Sequence, residues 1–218
     1  MASLVGTISY NISFSTLTIE SVSMKKIVFG LVLAATVQPA SAADAVAQGK
    51  HAFETCRGCH SIAGYSNVYP TYHVPKVAGQ RSQYIVEALT AYRAGERPHG
   101  TMKANANNLS DKTIENIAQY LEQAPHRPSA APTTDDGKAG EAAAQTCLAC
   151  HVEGEDGQAN VPRLAGQHPS YLVQAMQDYQ SGRRKNALMQ SMVQNLSEAE
   201  LNQIAAYFAR QEGLGVVQ

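Results

Sequence analysis

Cys56-Arg57-Gly58-Cys59-His60 and Cys147-Leu148-Ala149-Cys150-His151 are two copies of one spacing, and together they use all four cysteines of the 218-residue chain. C-x-x-C-H is the attachment signature for c-type haem. Two thiols at this spacing can form thioethers along one edge of a porphyrin, and the following His then lies beneath the iron. In an exported chain a cysteine pair reads first as a disulfide, but the His after each pair changes that reading. A structural zinc site would pool ligands from both pairs, whereas each pair here belongs to its own complete repeat. The sequence therefore predicts two covalently bound haem c groups, held by Cys56 and Cys59 and by Cys147 and Cys150.

The repeat extends well beyond these motifs. Pro75-Lys76-Val77-Ala78-Gly79-Gln80 corresponds to Pro162-Arg163-Leu164-Ala165-Gly166-Gln167 at an offset of 87. The same offset carries Tyr84 to Tyr171, Tyr92 to Tyr179, Gly95 to Gly182 and Leu109-Ser110 to Leu196-Ser197. Between the cysteines the offset is 91, so the first half holds four more residues in the loop after its His. One unit present twice reads as a duplication, since solenoids need three or more shorter units.

Both halves read as helical, and no stretch alternates like a strand. Residues 45–55 and 138–146 are Ala-rich helices that run into the cysteines. Tyr84, Ala88, Leu89 and Tyr92 share a helical face, as do Tyr171, Ala175, Met176 and Tyr179. Ser110 and Ser197 are good N-caps, and Ser197 with Glu200 makes a capping box. Ile114, Ile117, Ala118 and Leu121 form an apolar stripe repeated by Leu201, Ile204, Ala205 and Phe208. The 6% aromatic content without tryptophan is lean for two compact cores, which suggests that something besides side chains fills the middle.

From Met24 the chain reads as a secretory leader. Lys25 and Lys26 precede a short apolar run (27–37), and Ala40-Ser41-Ala42 gives a small-x-small cleavage pattern. The run is shorter than the roughly 20 apolar residues a spanning helix needs. Met24 is read as the start, with 1–23 an annotation artefact. The expected organisation is a signal-peptide region at 1–42, a first domain at 43–124, a Pro-rich linker at 125–136 and a second domain at 137–218. The expected location is the periplasm, with possible peripheral association with the membrane.

The formal charge is −1, and −2 once residues 1–42 are removed. Residues 43–125 hold eight basic and seven acidic side chains, and residues 126–218 hold seven and ten. That asymmetry makes the molecule a dipole able to orient against a redox partner. The chain has no basic stripe of the kind nucleic acid requires.

The iron's axial ligands follow from counting methionines. Besides Met1 and Met24 the chain has Met102, Met176, Met189 and Met192. His60 and His151 supply one ligand each, and Met102 is the sole methionine of the first half. Met102 lies seven residues before Leu109, as Met189 lies before Leu196, and both fall in stretches read as loops. Met192, whose repeat partner is Asn105, stays open as an alternative to Met189. Met176 aligns with Leu89 and reads as core. His73, His99 and His168 face Asn160, Asn186 and Arg81 in the other copy, so bis-His ligation would make the halves differ. A ligating His usually donates its free ring N–H to a carbonyl, and Pro75 and Pro162 are the candidates for that acceptor. Arg183-Arg184-Lys185 reads as a solvated basic turn, with contact to a haem propionate or to a partner as the alternative.

The paired C-x-x-C-H sites, the two Pro-x-(Val/Leu)-Ala-Gly-Gln segments, and Met followed by Asn-Leu-Ser and a Tyr-containing helix resemble the cytochrome c4 family. The resemblance covers Ala43 to about Gly213. It implies an all-α protein of two tandem class I cytochrome c domains related by a pseudo-two-fold, with haems close at their interface. It implies an electron carrier of the respiratory chain, without a catalytic residue, donating towards a haem–copper terminal oxidase. Its ligand pattern maps onto Cys56, Cys59, His60 and Met102, then Cys147, Cys150, His151 and Met189. The alternative is a dihaem subunit that accepts electrons in a periplasmic flavocytochrome sulfide, thiosulfate or alcohol dehydrogenase. A haem-based sensor, the third class, would need a weakly held sixth ligand.

Overall fold

The computed structural model describes residues 41–66, 71–126, 138–152 and 157–218. The leader at 1–40 and most of the Pro-rich linker (127–137) lie outside the described residues.

The first half contains α1 (Ala42–Phe53), α2 (Arg57–His60), α3 (Ser82–Ala94), α4 (Gly100–Ala106) and α5 (Asp111–Gln123). The second contains α6 (Lys138–Leu148), α7 (Pro169–Gln180), α8 (Ala187–Val193) and α9 (Glu198–Arg210). The described residues form no strand beyond isolated bridges.

Each half is built on a crossing of its first and last long helices, α1 on α5 and α6 on α9. The apolar stripes make these contacts: Ile114, Ile117, Ala118 and Leu121 are buried, and so are Leu201, Ile204, Ala205 and Phe208. Ser110 caps α5 by accepting the Thr113 N–H. Ser197 and Glu200 close a capping box on α9. The crossings are close because of glycine. At Gly49 a Cβ would stand 1.9 Å from the Asn116 carbonyl oxygen, and at Gly140 one would stand 2.6 Å from that of Gln203.

Met102 and Met189 do not sit in loops. They occupy the first turns of α4 and α8, two seven-residue helices. His99 caps α4 by accepting the Met102 N–H on its ring nitrogen (3.2 Å), and Asn186 caps α8 by accepting the Met189 N–H (2.9 Å). Helices this short, opened by Gly100 or capped by a His, carry no apolar period to reveal them.

The halves are joined by reciprocal bonds between repeat-equivalent residues. Gln167 accepts the Lys76 N–H and donates to the Lys76 carbonyl, both at 2.9 Å. Gln80 does the same for Arg163, at 2.9 and 3.0 Å. Lys76 Nζ donates to the Gly166 carbonyl, and Arg163 donates to that of Gly79. Each exchange uses the other copy's Ala-Gly-Gln turn, so the contact is isologous. The glycines take φ of +81° and +75°, a region only glycine enters without strain, and this presents their carbonyls across the interface.

The C-terminal tail crosses the same boundary. Leu214 N–H donates to Ala165, while Gly215 exchanges two bonds with Ala78 of the first half. Val217 then lies in the first half's core, 2% exposed. The tail has no periodicity from which this could be read.

His73 and His168 stack across the interface with ring centroids 4.8 Å apart. Burial, Lys76 and His73 together push the His168 imidazole down to about 4. An unfolded His titrates near 6.5, so between about pH 4 and 6.5 the unfolded chain binds more protons than the folded one. Stability therefore rises with pH across that window and falls on acidification through it. Thermal unfolding of the intact protein is expected to show this slope, and His168→Gln is expected to flatten it. An unchanged slope in the variant would show that His168 does not carry it.

Candidate haem sites and their shared cavity

Each half brings its sequence-predicted residues to one wall of a common cavity of about 590 Å³. Cys56, Cys59, His60 and Met102 line it from the first half, and Cys147, Cys150, His151 and Met189 from the second. The thiols stand at helix ends because α1 and α6 deliver them there. In the first half α2 carries the His on a further turn, and in the second α6 runs on to Leu148 before the chain turns to His151. None of the four cysteines is joined in a disulfide.

The two histidines are held alike. His60 Nδ1 lies 2.9 Å from the Pro75 carbonyl oxygen, and His151 Nδ1 lies 2.8 Å from that of Pro162. A carbonyl can only accept, so Nδ1 carries the proton and Nε2 keeps its lone pair free to ligate. Burial holds the His60 imidazole below its usual range, against the pull of the Pro75 carbonyl, and so favours the neutral form that a metal needs. The Pro-x-x-Ala-Gly-Gln segment thus works in two directions. Its proline orients the His of its own half, and the next residue bonds to the other half.

The methionines differ in setting. Met102 and Met189 are partly buried on the first turns of their helices, whereas Met192 is 41% exposed on the last turn of α8. Met192 still touches the cavity rim. Met176 lines the cavity and packs against the second core. The faces of α3 and α7 bearing Tyr84, Leu89, Tyr171 and Met176 also look onto the cavity, so they are only partly buried.

The family model "Cytochrome c" matches this chain twice, over residues 46–125 and 137–211. Cytochrome c4 from Azotobacter vinelandii is 30% identical over 191 residues, covering 77% of this chain and 89% of that protein. The chain belongs to the cytochrome c4 family. The crystal structure of reduced recombinant cytochrome c4 from Pseudomonas stutzeri matches with a TM-score of 0.62 at 25% identity, covering 79% of this chain and 100% of that one. Thiosulfate dehydrogenase (TsdBA) from Marichromatium purpuratum matches with a TM-score of 0.64 at 30% identity, covering 76% of this chain and 40% of that one.

As a cytochrome c4, the chain is a pair of tandem class I cytochrome c domains that carries two covalently bound haem c groups and transfers electrons. The walls described above suit such groups: paired thiols, an oriented imidazole and a thioether in each half, with apolar surface between. Each haem, when bound, supplies an iron that gains and loses one electron. The same cavity also contains polar residues suited to haem carboxylates. Arg97 and Arg184 both line it, and the buried Arg97 Nε has no hydrogen-bond partner.

Sequence reasoning missed Arg97, and gave Arg184 a propionate contact only as the alternative to a solvated turn. They are repeat partners at the offset of 87, a signal that was available. Arg184 was read within a solvated basic run, yet it is 8% exposed, while the Arg183 side chain is 57% exposed. Arg97 donates to Tyr84 Oη (3.2 Å) and to Tyr171 Oη (2.8 Å), and Arg184 donates to Tyr171 Oη (3.4 Å). Burial works to raise the Tyr171 hydroxyl, but Arg184 and Arg97 outweigh it and bring it down to about 8. Burial pushes Tyr92 up to about 12, against the pull of Arg97.

Among the described residues, no helix is long and apolar enough to cross a membrane.

Proposed function

We propose that Cys56 and Cys59 bind the first haem and Cys147 and Cys150 the second. His60 and Met102 are the axial ligands of the first iron, and His151 and Met189 those of the second. The observation that carries this assignment is the repeated pairing of a His locked on a proline carbonyl with a Met on a separately capped helix. Pro75 and Pro162 act as the carbonyl partners that fix the ring orientation. Met192 is the weaker second candidate because it is exposed (41%) where Met189 is partly buried. His/Met ligation raises the potential and leaves no open coordination position. That suits a carrier and does not suit a gas sensor.

The protein then works in the periplasm, exported by the leader at 24–42, and passes electrons between respiratory-chain components towards a terminal oxidase. Its charge asymmetry would orient it at the partner's surface and at the membrane face. The second reading is a dihaem subunit accepting electrons from a periplasmic dehydrogenase, and the likeness to the TsdBA thiosulfate dehydrogenase favours it specifically. The test is purification from the native membrane and periplasmic fractions, followed by reoxidation of the reduced protein. The carrier reading expects a free dihaem protein that native membranes reoxidise with oxygen. Recovery in fixed stoichiometry with a dehydrogenase, without membrane reoxidation, would move the function to the second reading.

A further inference from the structure

Arg81 belongs to the first half, yet its side chain ends in the second. It precedes α3 as the N-cap residue, is 4% exposed, and aims its guanidinium at the loop that follows His151. Nη2 donates to the Val152 carbonyl (2.5 Å), and Nη1 donates to the carbonyls of Gln158 (3.0 Å) and Val161 (2.8 Å). Val152 directly follows His151, and Val161 directly precedes Pro162, whose carbonyl holds His151 Nδ1. One planar fork therefore brackets the loop at both ends.

Gln80 completes the hold. It accepts the Arg163 N–H, which belongs to the same peptide group as the Pro162 carbonyl. The peptide before Pro162 is thus tied to Arg81 and the peptide after it to Gln80, both from the first half. Gly157 makes room for the arginine, since a Cβ there would overlap the guanidinium. The corresponding loop of the first half is four residues longer and closes on itself. There the Val74 N–H donates to the Tyr65 carbonyl (2.8 Å) and Ser66 bridges to His73. The repeat partner of Arg81 is His168, which stacks on His73.

The group that accepts a ligating imidazole's free N–H sets the orientation and basicity of the ring. Resting on the haem assignment above, we propose that Arg81 is a positioning residue of the second haem, fixing the plane of the His151 ring from across the boundary between the halves. The second iron's histidine is then held in place by the first half as well as by its own.

The test is proton NMR of the oxidised holoprotein, in which the methyl shifts of a low-spin haem depend on the plane of its axial imidazole. Met102→Ala marks which set of methyl resonances belongs to the first haem. Arg81→Gln removes the fork and is expected to displace the second haem's methyl resonances while leaving the first set in place. Gly157→Ala is expected to do the same without changing Arg81, because the atoms it overlaps are the end of a flexible side chain and give way. Arg81→Lys keeps the charge but offers one nitrogen where the fork had two, so the second set is expected to stay displaced. Three results overturn the proposal: unchanged shifts in Arg81→Gln, equal displacement of both sets, or full restoration by Arg81→Lys, which would show that charge alone acts. The unaltered protein separates this from the haem assignment. Absence of a second low-spin set there would strike the axial ligands and the proposal with them, whereas an intact set that ignores Arg81→Gln strikes Arg81 alone.

Discussion

Met102→Ala is expected to remove about half of the sulfur-to-iron charge-transfer absorbance of the oxidised protein and to lower one of its two midpoint potentials sharply. The thioether is what raises the potential of a His/Met haem, and no other methionine exists in the first half to replace it. The fold should survive the change. Met102 lies on a short helix where alanine is the best former, and α4 keeps its cap because His99 accepts the backbone N–H of residue 102, not its side chain. Covalent attachment is untouched, so two haems per chain remain. The opened sixth position should bind carbon monoxide in the reduced state, which the unaltered protein should not do. Met189→Ala is expected to have the same effect on the other haem, and Met192→Ala to leave both spectra intact. Retention of the full band in Met102→Ala would show that the ligand comes from elsewhere. His99 is the nearest competing ligand type by sequence, but its Nδ1 accepts the α4 cap bond, which in the neutral ring puts the proton on Nε2.

The chemistry-bearing motifs were legible because chemistry fixes their spacing. C-x-x-C-H must place two sulfurs along one porphyrin edge and an imidazole beneath the iron, and the Pro and Met assignments followed from comparing one copy with the other. The long helices were legible for a different reason: burial of one face imposes a 3.6-residue period, and the Ile114 and Leu201 stripes carry it. Where neither constraint applied, the sequence was opaque. The seven-residue helices bearing Met102 and Met189 present no second turn of apolar residues to show a period. Val217 enters the first core from a tail without pattern, since that contact depends on where the second half docks. The burial of Arg184 was hidden too. A basic run is solvated unless the tertiary structure closes over it, and here Arg184 is buried against Tyr171, Tyr179 and Asp178.

Duplication explains why docking was hard to read yet is tightly built. Residues that meet across a pseudo-two-fold need complement only their own repeat partners, so Gln80 and Gln167 look like ordinary polar turn residues in either copy alone. Only together do they form a reciprocal clasp, each satisfying the backbone N–H and C=O of one residue in the other half. Leaving such a group unsatisfied costs about 1–3 kcal/mol, which makes the relative placement of the halves specific and holds both ligand sets to one cavity. The repeat therefore fixes the geometry between sites.

Gly49→Ala tests the helix crossing that supports the first site, and two rules give opposite signs for it. Glycine inside a helix is about 1 kcal/mol less favourable than alanine, so α1 considered alone would be stabilised. The crossing says otherwise. A methyl at Gly49 would meet the Asn116 carbonyl oxygen at 1.9 Å, its carbon at 2.5 Å and the Tyr120 Cβ at 2.9 Å. Two of those three atoms are helix backbone and cannot rotate away, so α1 and α5 must separate. Separation would loosen Phe53 and Tyr120, whose rings pack with centroids 5.8 Å apart beside Cys56 in the first core. Overpacking of this kind typically costs about 1–3 kcal/mol, and the backbone contact puts Gly49→Ala at the upper end, about 3 kcal/mol net of the helix gain. Gly140→Ala meets the Gln203 oxygen at a less severe 2.6 Å and is expected to cost less. Denaturant unfolding followed by far-UV circular dichroism measures both, and the order should be Gly49 above Gly140. A stabilised Gly49→Ala would mean that the helices part without loss, and that the close crossing does not hold the Cys56 end of α1 against the cavity.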